Sequence, residues 1–183
     1  LAVLLSAGPV KSSATVVPPQ NTPGPEFAGS ETWFDGRHER TLWLSVKRVA
    51  ELNPNQTQAQ SLTNADSTAR VIQTHPTVRL WAVDDAQRVR QGGAFFAPVY
   101  FEAQSGSSRF RVAVGGVNVF LKKTVTEAER AALLKELHAE VKPSGLWLVP
   151  CAPAEALATA QQLNRRAEIE LATPNWWVAP HKR

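Results

Sequence analysis

The spacing of apolar and polar residues changes character along this chain. Over residues 41–49, Leu42, Leu44 and Val46 alternate with polar neighbours, the period of a strand with one buried side. Asp35 and Gly36 just ahead are turn formers, and Trp33 and Phe34 precede them, so a hairpin is predicted there. Residues 53–66 are polar and carry turn-forming residues, and read as a loop. Short strands are predicted at residues 69–73 and 78–83, separated by His75 and Pro76. Residues 94–103 hold Phe95, Phe96, Val99, Tyr100 and Phe101, a β-prone set that Pro98 interrupts. After a turn at residues 104–108, residues 109–114 alternate again.

From Gly115 and Gly116 onward, strands and helices take turns. Val117, Val119 and Leu121 alternate with Asn118, Phe120 and Lys122, a strand pattern. Thr126 and Glu129 have the spacing of a capping box, in which each side chain satisfies the other's free amide. Leu133, Leu134, Leu137 and Val141 then follow one helical stripe, which predicts an amphipathic helix over 126–139. A strand begins at Val141, turns at residues 143–145, and residues 145–149 form the next. Pro153 suits the first turn of a second helix, with Glu155 at its positive end. Ala156, Leu157, Ala160 and Leu163 line its apolar face, and Arg165 and Arg166 complement its negative end. Residues 168–171 make a last strand that stops at Pro174. The fold class is therefore α+β. Strand, helix, strand, strand, helix, strand over 117–173 matches a ferredoxin-like βαββαβ sheet with two helices on one face. A small β-rich subdomain over 31–115 precedes this domain, which spans 116–183.

Composition narrows the function classes. The chain has 183 residues, 43% hydrophobic and 20% charged, a globular balance. A net charge of +4 is spread rather than gathered into a basic run, so nucleic acid is not an expected partner. One cysteine, Cys151, makes neither an internal disulfide nor a zinc site, and the four histidines stand far apart. Neither metal nor cofactor is expected. Residues 1–7 read as the end of an export signal, with small residues Ser12 and Ala14 near a cleavage position. Residues 8–30, with five prolines among them, read as a linker. No run reaches the roughly 18–20 apolar residues of a membrane span. A secreted or periplasmic protein is expected.

Three segments, in order, carry a resemblance. Residues 117–123 run into Thr126, Glu127, Ala128 and Glu129. Gly145, Leu146, Trp147, Leu148, Val149 and Pro150 form a "glycine, apolar, x, apolar" strand. Glu168, Ile169, Glu170, Leu171, Ala172, Thr173, Pro174 and Asn175 form the close. Together they resemble the propeptide, or inhibitor-like pro-domain, of subtilisin-like serine proteases. The likeness covers about the last 65 residues, and extends weakly over 31–115 as a β-rich leader. Thr173 departs from it, standing where the family often has an acid.

The resemblance implies a non-catalytic chaperone and inhibitor. Its sheet would pack on the protease, and its end would enter the active-site cleft. That end comprises Trp176, Trp177, Val178, Ala179, Pro180, His181, Lys182 and Arg183, with Thr173, Pro174 and Asn175 near the partner. Either residues 178–181 fill four subsites, or residues 179–183 do, with Lys182 and Arg183 nearest the nucleophile. Trp176 and Trp177 either anchor the partner or cover the domain's own sheet edge. The protease is either a separate chain or the continuation of a longer precursor. No histidine or serine has the glycine-rich setting of a subtilisin triad, so the chain is not itself expected to be an enzyme. A secreted structural module, or a nucleic-acid-binding sheet, is the alternative from another class. Against the latter, the strands carry no paired aromatic signature of an RNA-reading sheet.

Overall fold

The computed structural model describes residues 24–92, 95–104 and 109–178. It is a mixed α+β structure in which nine strands form one antiparallel sheet, accompanied by four helices. In chain order the elements are β1 Phe27–Phe34, β2 Glu39–Leu52, α1 Gln56–Ala65, β3 Arg70–Thr74 and β4 Val78–Ala82. Then come α2 Ala86–Gln91, β5 Phe96–Phe101, β6 Phe110–Leu121, α3 Glu127–Glu136, β7 Glu140–Val141, β8 Trp147–Val149, α4 Ala156–Leu163 and β9 Ile169–Val178. The sheet order is β3-β4-β2-β5-β6-β8-β7, with β1 added on β2 and β9 on β6.

The predicted hairpin is present as β1 and β2. Asp35 makes its turn, accepting from the amides of Arg37 and His38 and pairing with Arg40 at 2.7 Å. Three hydrogen bonds to its carboxylate hold the Asp35 pKa well below the usual range. The capping box of α3 is also present. Thr126 accepts from the Glu129 amide, and Glu129 accepts from the Thr126 amide at 2.7 Å.

Other expectations are corrected. Residues 53–66 are not a loop, because α1 occupies most of them. Leu62, the deeply buried side chain among those described in it, packs with Val49 and Trp81, so the apolar stripe is too thin to show as a period. Gly115 and Gly116 do not separate two strands. β6 runs through them, with φ of 94° and 75°, a conformation that glycine adopts at little cost. A Cβ on Gly116 would lie 2.8 Å from Leu148 Cδ1, so that crossing also needs the missing side chain. Pro98 does not break β5, because the ladder with β6 begins only at Val99. β3 and β8 differ by a few residues from the segments expected. α4 starts at Ala156 rather than at Pro153, with Glu155 at its N-cap making no capping bond. Arg166 lies beyond the helix and pairs with Glu136. Val141, expected on the α3 stripe, is exposed in β7. Phe27 to Ser30, expected in the linker, belong to β1. The expected signal segment, the first part of the linker and most of the turn at 104–108 lie outside the described residues.

The connections hold a regularity. β2, α1, β3, β4, α2 and β5 are joined and ordered in the sheet as β6, α3, β7, β8, α4 and β9 are. In the first set the spatial order is β3-β4-β2-β5, and in the second it is β7-β8-β6-β9. Registers agree residue by residue. Val49 faces Trp81 and Pro98, while Val117 faces Val149 and Pro174. Ala50 faces Leu80 and Ala97, while Asn118 faces Leu148 and Thr173. Leu62 of α1 and Leu133 of α3 are each buried under their own sheet, as are Ala86 and Ala156 at the starts of α2 and α4. From β2 to β9 the chain thus repeats one unit twice, with β1 added ahead of it, and β5 of the first copy pairs with β6 of the second.

Candidate functional site

The copies differ in the sheet face turned away from their helices. In the first copy that face carries Ala50, Leu80 and Ala97, all buried in one cluster with Phe27, Trp43, Phe101 and Val112. In the second copy the equivalent positions are Asn118, Leu148 and Thr173, and all three are half-exposed. Phe120 and Leu171, paired across β6 and β9, extend the same face, and Phe120 is 46% exposed. The opposite side of these strands is core. Val117, Val119, Trp147, Val149 and Ala172 pack with Leu133 of α3 and with Ala160 and Leu163 of α4. A face of Phe120, Leu148 and Leu171, interspersed with Asn118 and Thr173, offers apolar area with a few hydrogen-bonding groups. Protein-contact surfaces share that make-up.

The chain leaves this face along β9. The ladder with β6 was expected to end at Pro174, and it does not. β9 passes through Pro174, which is buried opposite Val117, and pairs on to Trp176, Trp177 and Val178 opposite Ala113, Val112 and Arg111. β9 is paired on one edge only, where a sheet tolerates a residue without an N–H. Trp176, Trp177 and Val178 are therefore not in a free tail. Trp176 packs edge-on against Trp33 at 5.6 Å and Tyr100 at 5.7 Å. Trp177 points to the other face, 6.0 Å from Phe110 and 5.2 Å from the His75 ring. The two tryptophans cover the chain's own sheet, one on each side. Thr173, expected near a partner, accepts a 3.1 Å hydrogen bond from the Trp33 indole, and Asn175 donates to the Gly115 carbonyl. Ala179, Pro180, His181, Lys182 and Arg183 lie outside the described residues.

Sequence reasoning missed the partners of these tryptophans. Trp33 lies in β1, Tyr100 in β5 and His75 in a turn, all far from β9 in sequence, and no local signal marks them. Tyr100 is buried, which pushes its pKa up to about 12; nearby Glu31 adds to the rise and Arg90 opposes it. Cys151 is half-buried and its thiol is likewise raised by burial, away from nucleophilic use at neutral pH.

Elsewhere, a cleft of about 440 Å³ lies between α1 and α2, with Asp66, Asp85 and Arg88 in its wall. Its acids already have structural tasks. Asp66 accepts from the Thr68 hydroxyl and the Asp84 amide, and Asp85 caps α2. Among the described residues no group of three or more His, Cys, Asp or Glu could hold a metal, and no helix is long and apolar enough to cross a membrane. No protein-family model, curated protein or solved structure matches this chain.

Proposed function

We propose that this chain is a non-catalytic pro-domain or stand-alone chaperone and inhibitor of a secreted subtilisin-like serine protease. The second copy docks through the face of Asn118, Phe120, Leu148 and Leu171. The residues after Val178 enter the cleft as an added strand, with alternate side chains filling pockets. The observation that carries this reading is the contrast between the copies: the face that the first copy buries is left open in the second. The order β7-β8-β6-β9, with both helices on the other face, supports a ferredoxin-like reading of residues 117–173. β9 supports it too, because it runs from the open face to the described end of the chain. The protease is either a separate chain or a catalytic domain continuing the same polypeptide. A partner of that class works outside the cytoplasm, which agrees with the export signal expected over residues 1–7. Binding only the native protease stabilises it while its cleft is blocked, so chaperoning and inhibition share one surface.

Inhibition of a purified subtilisin on a chromogenic peptide tests this. The full chain, added in excess, slows hydrolysis. Phe120→Glu puts a charge in the contact face and weakens inhibition by about tenfold or more. Removing residues 179–183 does the same by emptying the cleft. Undiminished inhibition by both variants, or none by the parent chain, defeats the proposal.

A further inference from the structure

β1 and β9 face one another across a seam without strand pairing. Among the described residues β1 pairs only with β2, and β9 only with β6. Side chains close the seam. Trp33 of β1 donates its indole N–H to Thr173 Oγ1 at 3.1 Å and lays its ring against Trp176. The Arg111 guanidinium stacks 4.7 Å over the other part of this cluster, on the Trp33 ring, and is itself held by Glu102 at 2.6 Å. At the hairpin turn, Gly36 comes so close to Leu171 that an added Cβ would lie 3.1 Å from its Cδ2. Gln161 of α4 donates to the Thr32 carbonyl at 2.7 Å, which ties the same hairpin to the second copy.

These contacts fall on a particular stretch of β9. From Ile169 to Pro174 the strand pairs with the half of β6 that belongs to the second copy's own sheet. From Trp176 to Val178 it pairs with the other half, beside β5, where it has a neighbour on one side only. β5, at the equivalent place in the first copy, has β2 on one side and β6 on the other. Among the described residues the end of β9 thus lacks a second backbone neighbour, and a side chain from β1 stands in for it.

We propose that the β1 hairpin is a latch on the end of β9, with Trp33 as its positioning residue. The latch holds Trp176 to Val178 in the ladder, and so sets which residues can reach a partner's cleft. With the latch closed, Val178 is in the ladder opposite Arg111 and is not available to a subsite. The register beginning at Ala179 is then the one presented, with Lys182 and Arg183 nearest the nucleophile. With the latch open, Trp176 to Val178 can peel away and the alternative register beginning at Val178 becomes accessible. The consequence for the cleft rests on the protease reading above, while the latch itself rests on the seam alone.

The test uses the full chain and two variants, each removing one end of the indole hydrogen bond: Thr173→Val, which keeps the volume of the site, and Trp33→Phe, which also gives up part of the indole ring. Hydrogen exchange compares two parts of one strand. Both variants speed exchange of those amides among Trp176, Trp177 and Val178 that donate to β6 by about fivefold, the worth of one hydrogen bond, and leave unchanged the Leu171 amide and the Ala172 amide, which donates to Asn164. The double variant exchanges no faster than either single one, and Thr173→Ser, which keeps an acceptor, restores protection. Equal acceleration along the whole of β9 means a general loss of stability and overturns the latch, as does no acceleration at all. Inhibition of subtilisin then tests its use. Trp33→Phe weakens inhibition by the full chain and leaves a chain ending at Val178 unaffected. A parent chain that does not inhibit removes the protease reading while the exchange result stands. An equal loss with and without residues 179–183 removes the link between latch and tail.

Discussion

Glu51 is fully buried in β2, a position where an unpaired carboxylate would be costly. Among the described residues it has three neighbours. The Trp81 indole donates to it at 2.8 Å, the Asn55 amide at the entrance to α1 donates at 3.3 Å, and the Arg79 guanidinium stands 3.5 Å away. Glu51→Ala removes the acceptor for all of them. The Trp81 N–H is left buried without a partner, which costs about 1–3 kcal/mol. The lost bond at the start of α1 adds about 0.5–1 kcal/mol. The vacated side-chain volume adds roughly another 1 kcal/mol. Arg79 is 21% exposed and can turn to water, so the ion pair itself adds little. The expected loss is about 3–4 kcal/mol. Glu51→Gln keeps an oxygen for Trp81 and the shape of the site, and should lose only about 1 kcal/mol. Equilibrium urea unfolding followed by tryptophan fluorescence measures both. A loss below about 1 kcal/mol for Glu51→Ala, or equal losses for the two variants, would refute the assignment of the indole bond as the dominant contribution.

Gly116→Ala forces a side chain onto a φ of 75° and against Leu148, so it should cost about 1–3 kcal/mol in urea unfolding. It should also disturb the open face, and a variant as stable as the parent would show that β6 does not need its glycine there. Thr126→Ala removes half of the α3 capping box and should cost about 1 kcal/mol, read as a lower urea midpoint. The same box predicts a pH effect. Hydrogen bonds from the Thr126 amide and hydroxyl lower the folded pKa of Glu129, and those around Asp35 do so for that group. A lowered folded pKa means stability that is present above the ordinary carboxylate value and lost as pH falls through and below it, from roughly pH 4 downward. Urea midpoints between pH 6 and pH 2 should therefore fall, and fall less in Thr126→Ala. A midpoint that rises on acidification contradicts the sign.

Legibility in sequence followed the range of the forces involved. The Asp35 turn and the Thr126 capping box are local devices, and both were readable because their partners lie within a few residues. The alternation of strands and helices after Gly116 was readable because β6, α3, β8 and α4 each bury apolar residues at their own period, whereas both residues of β7 are exposed. α1 was not, since its apolar residues are few, Ala59 and Leu62 being the ones that reach the core among those described. Pro98 and Pro174 misled for a physical reason. Proline argues against a strand only where both edges are paired, and edge pairing is a property of the sheet, not of the segment. The duplication was hidden because it conserves places rather than residue types. Pro98 and Pro174 coincide, as do Leu62 and Leu133, but Ala50 answers to Asn118 and Trp81 to Val149. The destinations of Trp176 and Trp177 depended on Trp33, Tyr100, Phe110 and His75, which only the folded sheet brings to them.

β5 closes the first unit and also flanks the opening strand of the second, as β1 flanks β2. A repeat that lends its last strand to its successor has no seam at which it can be cut. Expressing either half by itself would expose a raw edge of unpaired backbone and invite aggregation. Lengthening meets its own obstacle at β9, because Trp33 of the β1 hairpin already lies against the stretch to which the first strand of a further unit would have to pair.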